Sequence, residues 1–359
     1  MHRALLLLSL LGTACSRQPP PALKTVHLTP QLVLGGAEDG PSSFADIRWF
    51  QVDSRGYLYV LEGQSQEVRV FDAAGVHVRT LGRKGAGPGE FSMANGIALG
   101  PHSQLWVYDP GNSRATIFDS AGGLQESILL RLSGYGFVWA GGVDTLGTLY
   151  DPIDIPSGDT TRPALRRVLA GGDMTDTIPI GQCTGYTAPT YTFPRGGMWV
   201  PFTQPMYQDL DPRGSTWCAD PRTVEIKQYR IGDTIPRRIF SARVRPLLVS
   251  QAERDSAIAE IRAFAKEVGG GAADFGLIPQ TKPVLRRVDT DTEGRVWVQI
   301  EDQAGFRALI FDSLGTLKAE AQLPFHPSRW HPTIILGRSV YAVTRDSVDI
   351  PTITRYRLD

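Results

Sequence analysis

Apolar residues in this chain fall in short bursts of strand length, each set against a polar turn. One burst is aromatic and follows a tight turn: it occurs over Asp53–Val60, Pro101–Tyr108, Asp144–Tyr150, Asp211–Trp217, Asp291–Val298 and Leu336–Val343. A second runs into a turn instead, at Val68–Asp72, Ala115–Asp119, Leu165–Leu169, Ile226–Tyr229, Ala308–Asp312 and Ile353–Tyr356. The links between units repeat as well. Leu34-Gly35, Gly40-Pro41 and Phe44 answer Leu81-Gly82, Gly87-Pro88 and Phe91 with no gap. Aromatic and β-branched residues between Asp/Gly turns predict strands rather than helices.

Strand-and-turn units recurring with a period of about 45 residues predict a six-bladed β-propeller. Each blade takes four strands, a to d from the channel outward, with Asp-x-x-Gly supplying the turn geometry. The last unit ends in strand c at Tyr356-Arg-Leu-Asp359, while the segment from Lys24 to Leu34 has d-strand character and no strand c before it. The N-terminal strand is therefore expected to complete blade six and close the ring, leaving no sheet edge exposed. One helix interrupts the pattern between blades four and five. Ser250-Gln-Ala-Glu253 reads as a capping box, Gly269-Gly270-Gly271 as a stop, and Ala257, Ile258, Ile261, Phe264, Ala265 and Val268 as one apolar stripe, expected to pack on the propeller.

Asp109-Pro-Gly-Asn-Ser-Arg-Ala-Thr-Ile-Phe118, preceded by Gly87-Pro-Gly-Glu-Phe91, resembles an NHL-type propeller repeat, with Ala94 and Ala115 where that family carries Pro and Ile. Blade two is the best copy, blades one and five are partial, and the remaining blades diverge. The chain is similar to the bacterial six-bladed propeller lipoproteins of unassigned function. The resemblance implies a fold more than an activity.

Loops sort by face. The a–b and c–d turns on one face are short, and the long departures belong to the other. These are a b–c loop from about Asp151 to Pro163, an aromatic link from about Gly181 to Pro205, and the helical link. Insertions in repeat proteins gather on the binding face, so the three are expected to form a partial lid over one channel mouth. Trp330, His331, Tyr191 and Trp199 are the candidate ligand-binding residues on that face.

The N-terminus is a processing segment. Residues 1–14 form a signal peptide, with Met1-His-Arg3 ahead of the apolar run Ala4–Leu11, and 15–22 form a Pro-rich tether starting at Cys15. Gly12-Thr-Ala-Cys15 resembles a lipobox, with Gly12 where Leu is usual, which implies lipidation at Cys15 and a bacterial membrane anchor. Ordinary secretory cleavage is the other reading. Export would place Cys183 and Cys218 in an oxidising compartment, where they either form a disulfide or remain two separate buried thiols.

The chain of 359 residues balances 37 basic against 37 acidic side chains, so no field attracts nucleic acid. The basic pairs Arg166-Arg167, Arg237-Arg238 and Arg286-Arg287 read as solvated outer faces. Gly85-Ala-Gly87-Pro-Gly89 lacks the Lys-Ser/Thr ending of a phosphate loop, and no Gly-x-Ser-x-Gly or His-Glu-x-x-His is present. The rival to a binding module is a calcium-dependent lactonase or hydrolase. Propellers similar to gluconolactonases hold calcium at the channel mouth with Glu, Asn and Asp; the matching positions here are Asp46 and Asn95, with Gln204 as a further candidate. The expectation is a monomeric binding module for a protein, a peptide or a small molecule, with no cofactor and calcium as the alternative.

Overall fold

The computed structural model describes residues 23–359 except 37–38, 131–138, 140, 158–159, 170–173, 180–182, 184–185, 212 and 329. The proposed leader, tether and Cys15 lie outside the described residues. Six four-strand units surround a central channel, as the repeats predict. Blade one comprises Ile47–Val52, Leu58–Glu62, Glu67–Phe71 and His77–Leu81, hydrogen-bonded in chain order. The inner strands of the other blades are Gly96–Leu99, Gly142–Val143, Tyr207–Asp211, Leu285–Thr290 and Ile334–Leu336.

The turns explain the repeated Asp and Gly. In each of Asp53, Asp72, Asp119, Asp144, Asp291 and Asp312, Oδ1 accepts the backbone N–H groups two and four residues on, at 2.8–3.0 Å. The residue between those donors is left-handed, as at Gly56 (φ +84°) and Gly294 (φ +81°), which is why glycine stands there. The a–b turn of blade two has no glycine at its left-handed positions, where His102 and Ser103 stand instead with φ +53° and +60°. The repeated link works through its Phe. Phe44 and Phe91 are buried and meet Phe71 and Phe118 edge-on, at centroid distances of 6.0 and 6.1 Å. Each such side chain removed from water contributes roughly 1.5–3 kcal/mol.

Ring closure follows the sequence. Leu28–Gly35 pairs antiparallel with Pro351–Leu358, making it the outermost strand of blade six. The three residues before it do something the pattern does not announce. Lys24–Val26 pairs in parallel with Leu317–Gln322, the outer strand of blade five, giving that blade a fifth strand. One short segment thus stitches two neighbouring blades. Asp359 N–H donates to the His27 carbonyl at 3.0 Å, holding the junction between the two pairings.

The apolar core lies between blades, face to face. The seam of blades one and two holds Tyr59, Leu61, Val68, Ile97, Leu105 and Val107; that of blades four and five holds Ile226, Phe240, Val288, Val298 and Phe311. The seam of blades three and four is thinner among the described residues, with Tyr150 and Leu165 as its buried members. A covalent tie crosses beside it. Cys183, in the link leaving blade three, is bonded to Cys218 in blade four with Cα atoms 5.4 Å apart. The Tyr186 ring lies 4.0 Å under the Arg222 guanidinium, a second clamp between the same link and blade four.

Two insertions differ from the expected loops. The b–c segment of blade three continues its strands as a long hairpin, Leu149–Ser157 with Thr160–Val168, in unbroken register. The link from blade three to four carries its own hairpin, Thr190–Phe193 with Gly196–Trp199. The helix α1 (Gln251–Glu267) packs on that hairpin rather than on the blades, through Ala257, Ile261 and Ala265 against Tyr191, Phe193 and Val200. Its capping box forms in full, with Ser250 and Glu253 exchanging side-chain and backbone hydrogen bonds. Phe193 supplies an apolar face that the helix stripe matches, meeting Phe264 at 6.0 Å, so the two insertions satisfy each other.

Candidate functional site

The inner strands enclose a cavity of about 460 Å³ in the channel, with walls from all six blades. Its lining runs from Trp139, Pro332 and Thr333, ahead of their inner strands, to the a–b turns, and includes Val52, Leu99, Asp211 and Thr292. No residue of the hairpin at 190–199 or of α1 lines it. The expected lid does not cover this cavity.

The walls divide by chemistry. Blades one to three contribute mainly Trp49, Val52, Ile97, Leu99, Trp139 and Val143, whereas blades four and five contribute Asp209, Asp211, Arg213, Arg287, Asp289 and Asp291. The charged half is built by alternation in two inner strands. In Leu285–Thr290 the side chains of Arg287 and Asp289 share one face, and Asp209 sits on the neighbouring inner strand. Arg287 donates from Nε to Asp289 Oδ1 at 2.7 Å and lies 3.4 Å from Asp209 Oδ2. Gln299 Nε2 donates to the other Asp289 oxygen at 2.7 Å, and the Tyr207 hydroxyl donates to Asp209 at 2.9 Å.

Arg287 and Asp289 are buried, yet this is not a neutral pair, because two carboxylates share one guanidinium. Burial is the main influence on Asp289, and with the Asp209 charge it outweighs the pull of Arg287 and pushes the carboxyl up to about 6. Arg287 moves upward too, its two carboxylate neighbours outweighing its own desolvation, so the guanidinium stays charged. Burial likewise drives the Tyr207 hydroxyl well above its usual range, keeping it a donor. Nearer the turns, Asp211 accepts from the Arg213 backbone N–H at 2.9 Å and from Thr290 Oγ1 at 3.2 Å, while Asp291 accepts from Arg295 Nε at 2.6 Å and Trp297 Nε1 at 3.0 Å.

The structure disperses the residues singled out in the sequence. His331 joins blades six and one at the far end of the channel. One ring nitrogen meets the Ile47 carbonyl at 2.8 Å, the other meets Ser328 Oγ at 3.1 Å, and burial pulls its pKa down. Trp330 beside it is 49% exposed. Tyr191 and Trp199 share a separate recess on the link hairpin, which neither Trp330 nor His331 lines. Tyr191 is interior to the insertion, its hydroxyl donating to the Asp274 carbonyl at 2.9 Å, whereas Trp199 is 48% exposed. The aromatic face is thus not one surface.

Of the two calcium positions, Asp46 is already paired with a cation of the chain itself. Asp46 pairs with Arg48 at 2.5 Å, and its backbone N–H is held by Glu62 at 2.8 Å. Asn95 is buried, with its backbone N–H on the Tyr108 carbonyl and its carbonyl accepting from Trp139. A cation at Asp46 would first have to displace Arg48. Among the described residues, no three His, Cys, Asp or Glu side chains converge as a metal site.

One arginine in each of two pairs also corrects the sequence reading, while Arg237 is exposed as expected. Arg166 is buried against Asp151, whose other oxygen accepts the Tyr108 hydroxyl at 2.7 Å, and Arg287 lines the channel. Neither is on a solvated face, because in blades three and five those strand positions point at a neighbouring carboxylate. The signal was present as Arg287 and Asp289 at alternate positions of an otherwise apolar strand, which places two opposite charges on one side of it.

Among the described residues, no helix is long and apolar enough to cross a membrane. No protein-family model matches the chain, and no curated protein matches its sequence. Among solved structures it is similar to an exported protein of Bacteroides fragilis, with 11% identity over 93% of this chain and 95% of that one and a TM-score of 0.54. A DUF4221 protein of Bacteroides vulgatus follows at 11% identity, 94% and 99% coverage and a TM-score of 0.48. The calcium-binding protein regucalcin of Agrobacterium tumefaciens shows 13% identity, 94% and 97% coverage and a TM-score of 0.41. At such identities the likeness is one of fold: this chain is a six-bladed β-propeller, with one α-helix among the described residues.

Proposed function

We propose that this protein is an exported, lipid-anchored propeller of NHL type that acts as a binding module, taking a small ligand or the end of a peptide in its central channel. The observation that carries the reading is the channel cavity of about 460 Å³, apolar on one side and charged on the other. A volume of that order suits a small ligand, and an apolar wall with a few placed polar groups can orient one. The leader-like start and the Gly12-Thr-Ala-Cys15 motif support export and anchoring. The elaborated face is the weaker candidate, because its two insertions pack Tyr191, Phe193 and Phe264 into one cluster of their own.

Thermal melting of the chain from Cys15 onward, against a library of small polar-apolar compounds, tests the reading. A ligand at a hundred times its Kd stabilises the folded state by about 2.7 kcal/mol. Thr292→Trp, at an exposed position on the cavity wall, should abolish that shift. Ligands that stabilise the wild type and Thr292→Trp equally would place binding elsewhere. Mass measurement of the detergent-extracted protein against Cys15→Ser checks the anchor: the variant should lose the acyl mass and the membrane association together.

A further inference from the structure

We infer that the channel ligand is an amine on an apolar body that also offers a hydrogen-bond acceptor, the chemistry of an amino-acid amide or a peptide amino terminus. This rests on the channel-binding reading above. The first support is the charge balance of the wall. Asp209, Asp211, Asp289 and Asp291 face only Arg213 and Arg287 among the lining side chains. Four carboxylates against two guanidiniums leave an excess of two negative charges, which Arg295, outside the lining, reduces to one through its pair with Asp291.

Asp209 is the most accessible of the four carboxylates, with 28% side-chain exposure against 6% or less for the others. Asp211 and Asp291 are engaged in capping their turns, and Asp289 is held by Arg287 and Gln299. Asp209 accepts from the Tyr207 hydroxyl at 2.9 Å and the Leu210 backbone N–H at 2.8 Å, and its nearest guanidinium nitrogen is at 3.4 Å. An ammonium group there would neutralise the excess in a site of low dielectric, where a charge-assisted hydrogen bond contributes most.

The second support comes from the apolar wall and is independent of the first. Trp139 lines the cavity, is buried and stacks on Tyr108 at 4.9 Å, yet its indole Nε1–H has no acceptor among the described residues. Gly141, also in the lining, packs beside that nitrogen, and a Cβ there would stand 2.2 Å from both Nε1 and the Tyr150 carbonyl oxygen. A buried donor without a partner is costly, and an acceptor brought in by a ligand removes the cost. Ile97, Val143 and Ile335 share the same lining and suit an apolar body.

Calorimetric titration of the whole mature chain with phenylalaninamide tests the class. The comparison ligands are N-acetylphenylalaninamide, which lacks the ammonium, phenylpropionate, which is anionic, and a phenylalanyl tripeptide, which presents the same amine as a peptide terminus. The expected result is binding of phenylalaninamide, with at least about tenfold loss on acetylation and in Asp209→Asn, since a charged hydrogen bond is worth about 1.5–3 kcal/mol and each 1.4 kcal/mol is tenfold. Tighter binding of the tripeptide assigns the ligand as a peptide terminus, and tighter binding of the amide assigns a free amine. Equal binding of the acetylated form, or preference for phenylpropionate, overturns the amine inference while leaving a channel binder, provided Thr292→Trp still blocks it. Binding that survives Thr292→Trp, or no binding by any member of the set, overturns the inference together with the channel as its site.

Discussion

Gly82→Ala separates two costs that the repeated link imposes on one residue. Gly82 has φ +73°, and a Cβ there would lie 2.2 Å from Phe91 Cε2 and 2.7 Å from Cζ. Left-handed backbone costs an L-residue roughly 1–2 kcal/mol. The collision cannot be relieved by a flexible tip, because Phe91 is fully buried and meets Phe118 edge-on. Displacing the ring forfeits part of what a Phe→Ala change would, about 3–5 kcal/mol, and overpacking alone typically costs about 1–3 kcal/mol. The sum is about 2–5 kcal/mol. Gly232→Ala isolates the backbone share, since Gly232 has φ +91° and nothing within 4 Å of a Cβ; it should lose only about 1–2 kcal/mol. Urea unfolding followed by tryptophan fluorescence supplies both values. Adding Phe91→Leu to Gly82→Ala should recover part of the loss as a coupling of about 1 kcal/mol or more. If Gly82→Ala and Gly232→Ala cost the same, and the double variant is additive, then Phe91 does not anchor the link as described here.

Two further outcomes follow from the site and the helix. Ser250→Ala removes the hydroxyl half of the capping box, leaving the backbone N–H at 250 on Glu253, and should destabilise the insertion by about 1 kcal/mol, read as faster amide exchange over residues 251–254 with little change in the blades. Asp289, raised to about 6, binds its proton more tightly folded than unfolded; its contribution to stability is complete below about pH 4, its unfolded value, and is lost as pH rises through 6. Asp209→Asn removes the like charge that helps to raise it, so carboxyl-carbon NMR should show its midpoint move down; an unchanged or higher midpoint contradicts the shared-guanidinium account.

The blades, the closing strand and the helix were legible because each rests on local chemistry: an Asp that caps its own turn, a burst of aromatic residues, a Ser and Glu three apart. Lys24–Val26 was not legible as a strand of blade five, since three residues carry no period and parallel pairing leaves no turn to read. The helix stripe announced that α1 would be buried but not against what. Its partner, the hairpin holding Tyr191 and Phe193, is distant in sequence and equally apolar. The channel network was missed for a related reason. Asp209, Arg287 and Asp289 belong to no motif, and only the packing of blade five against blade four brings two strands some eighty residues apart side by side.

The double pairing of the N-terminal segment also sets an order of events. Residues made first, at 24–35, find their partners only near 319 and 358, so the rim of blade six stays open until nearly all of the sheet is built. Contacts of such span are slow to form, and an unpaired rim is adhesive while it waits. A permuted chain that placed 24–35 directly after 359 would make the closing hairpin local, and it should refold faster and with less aggregation.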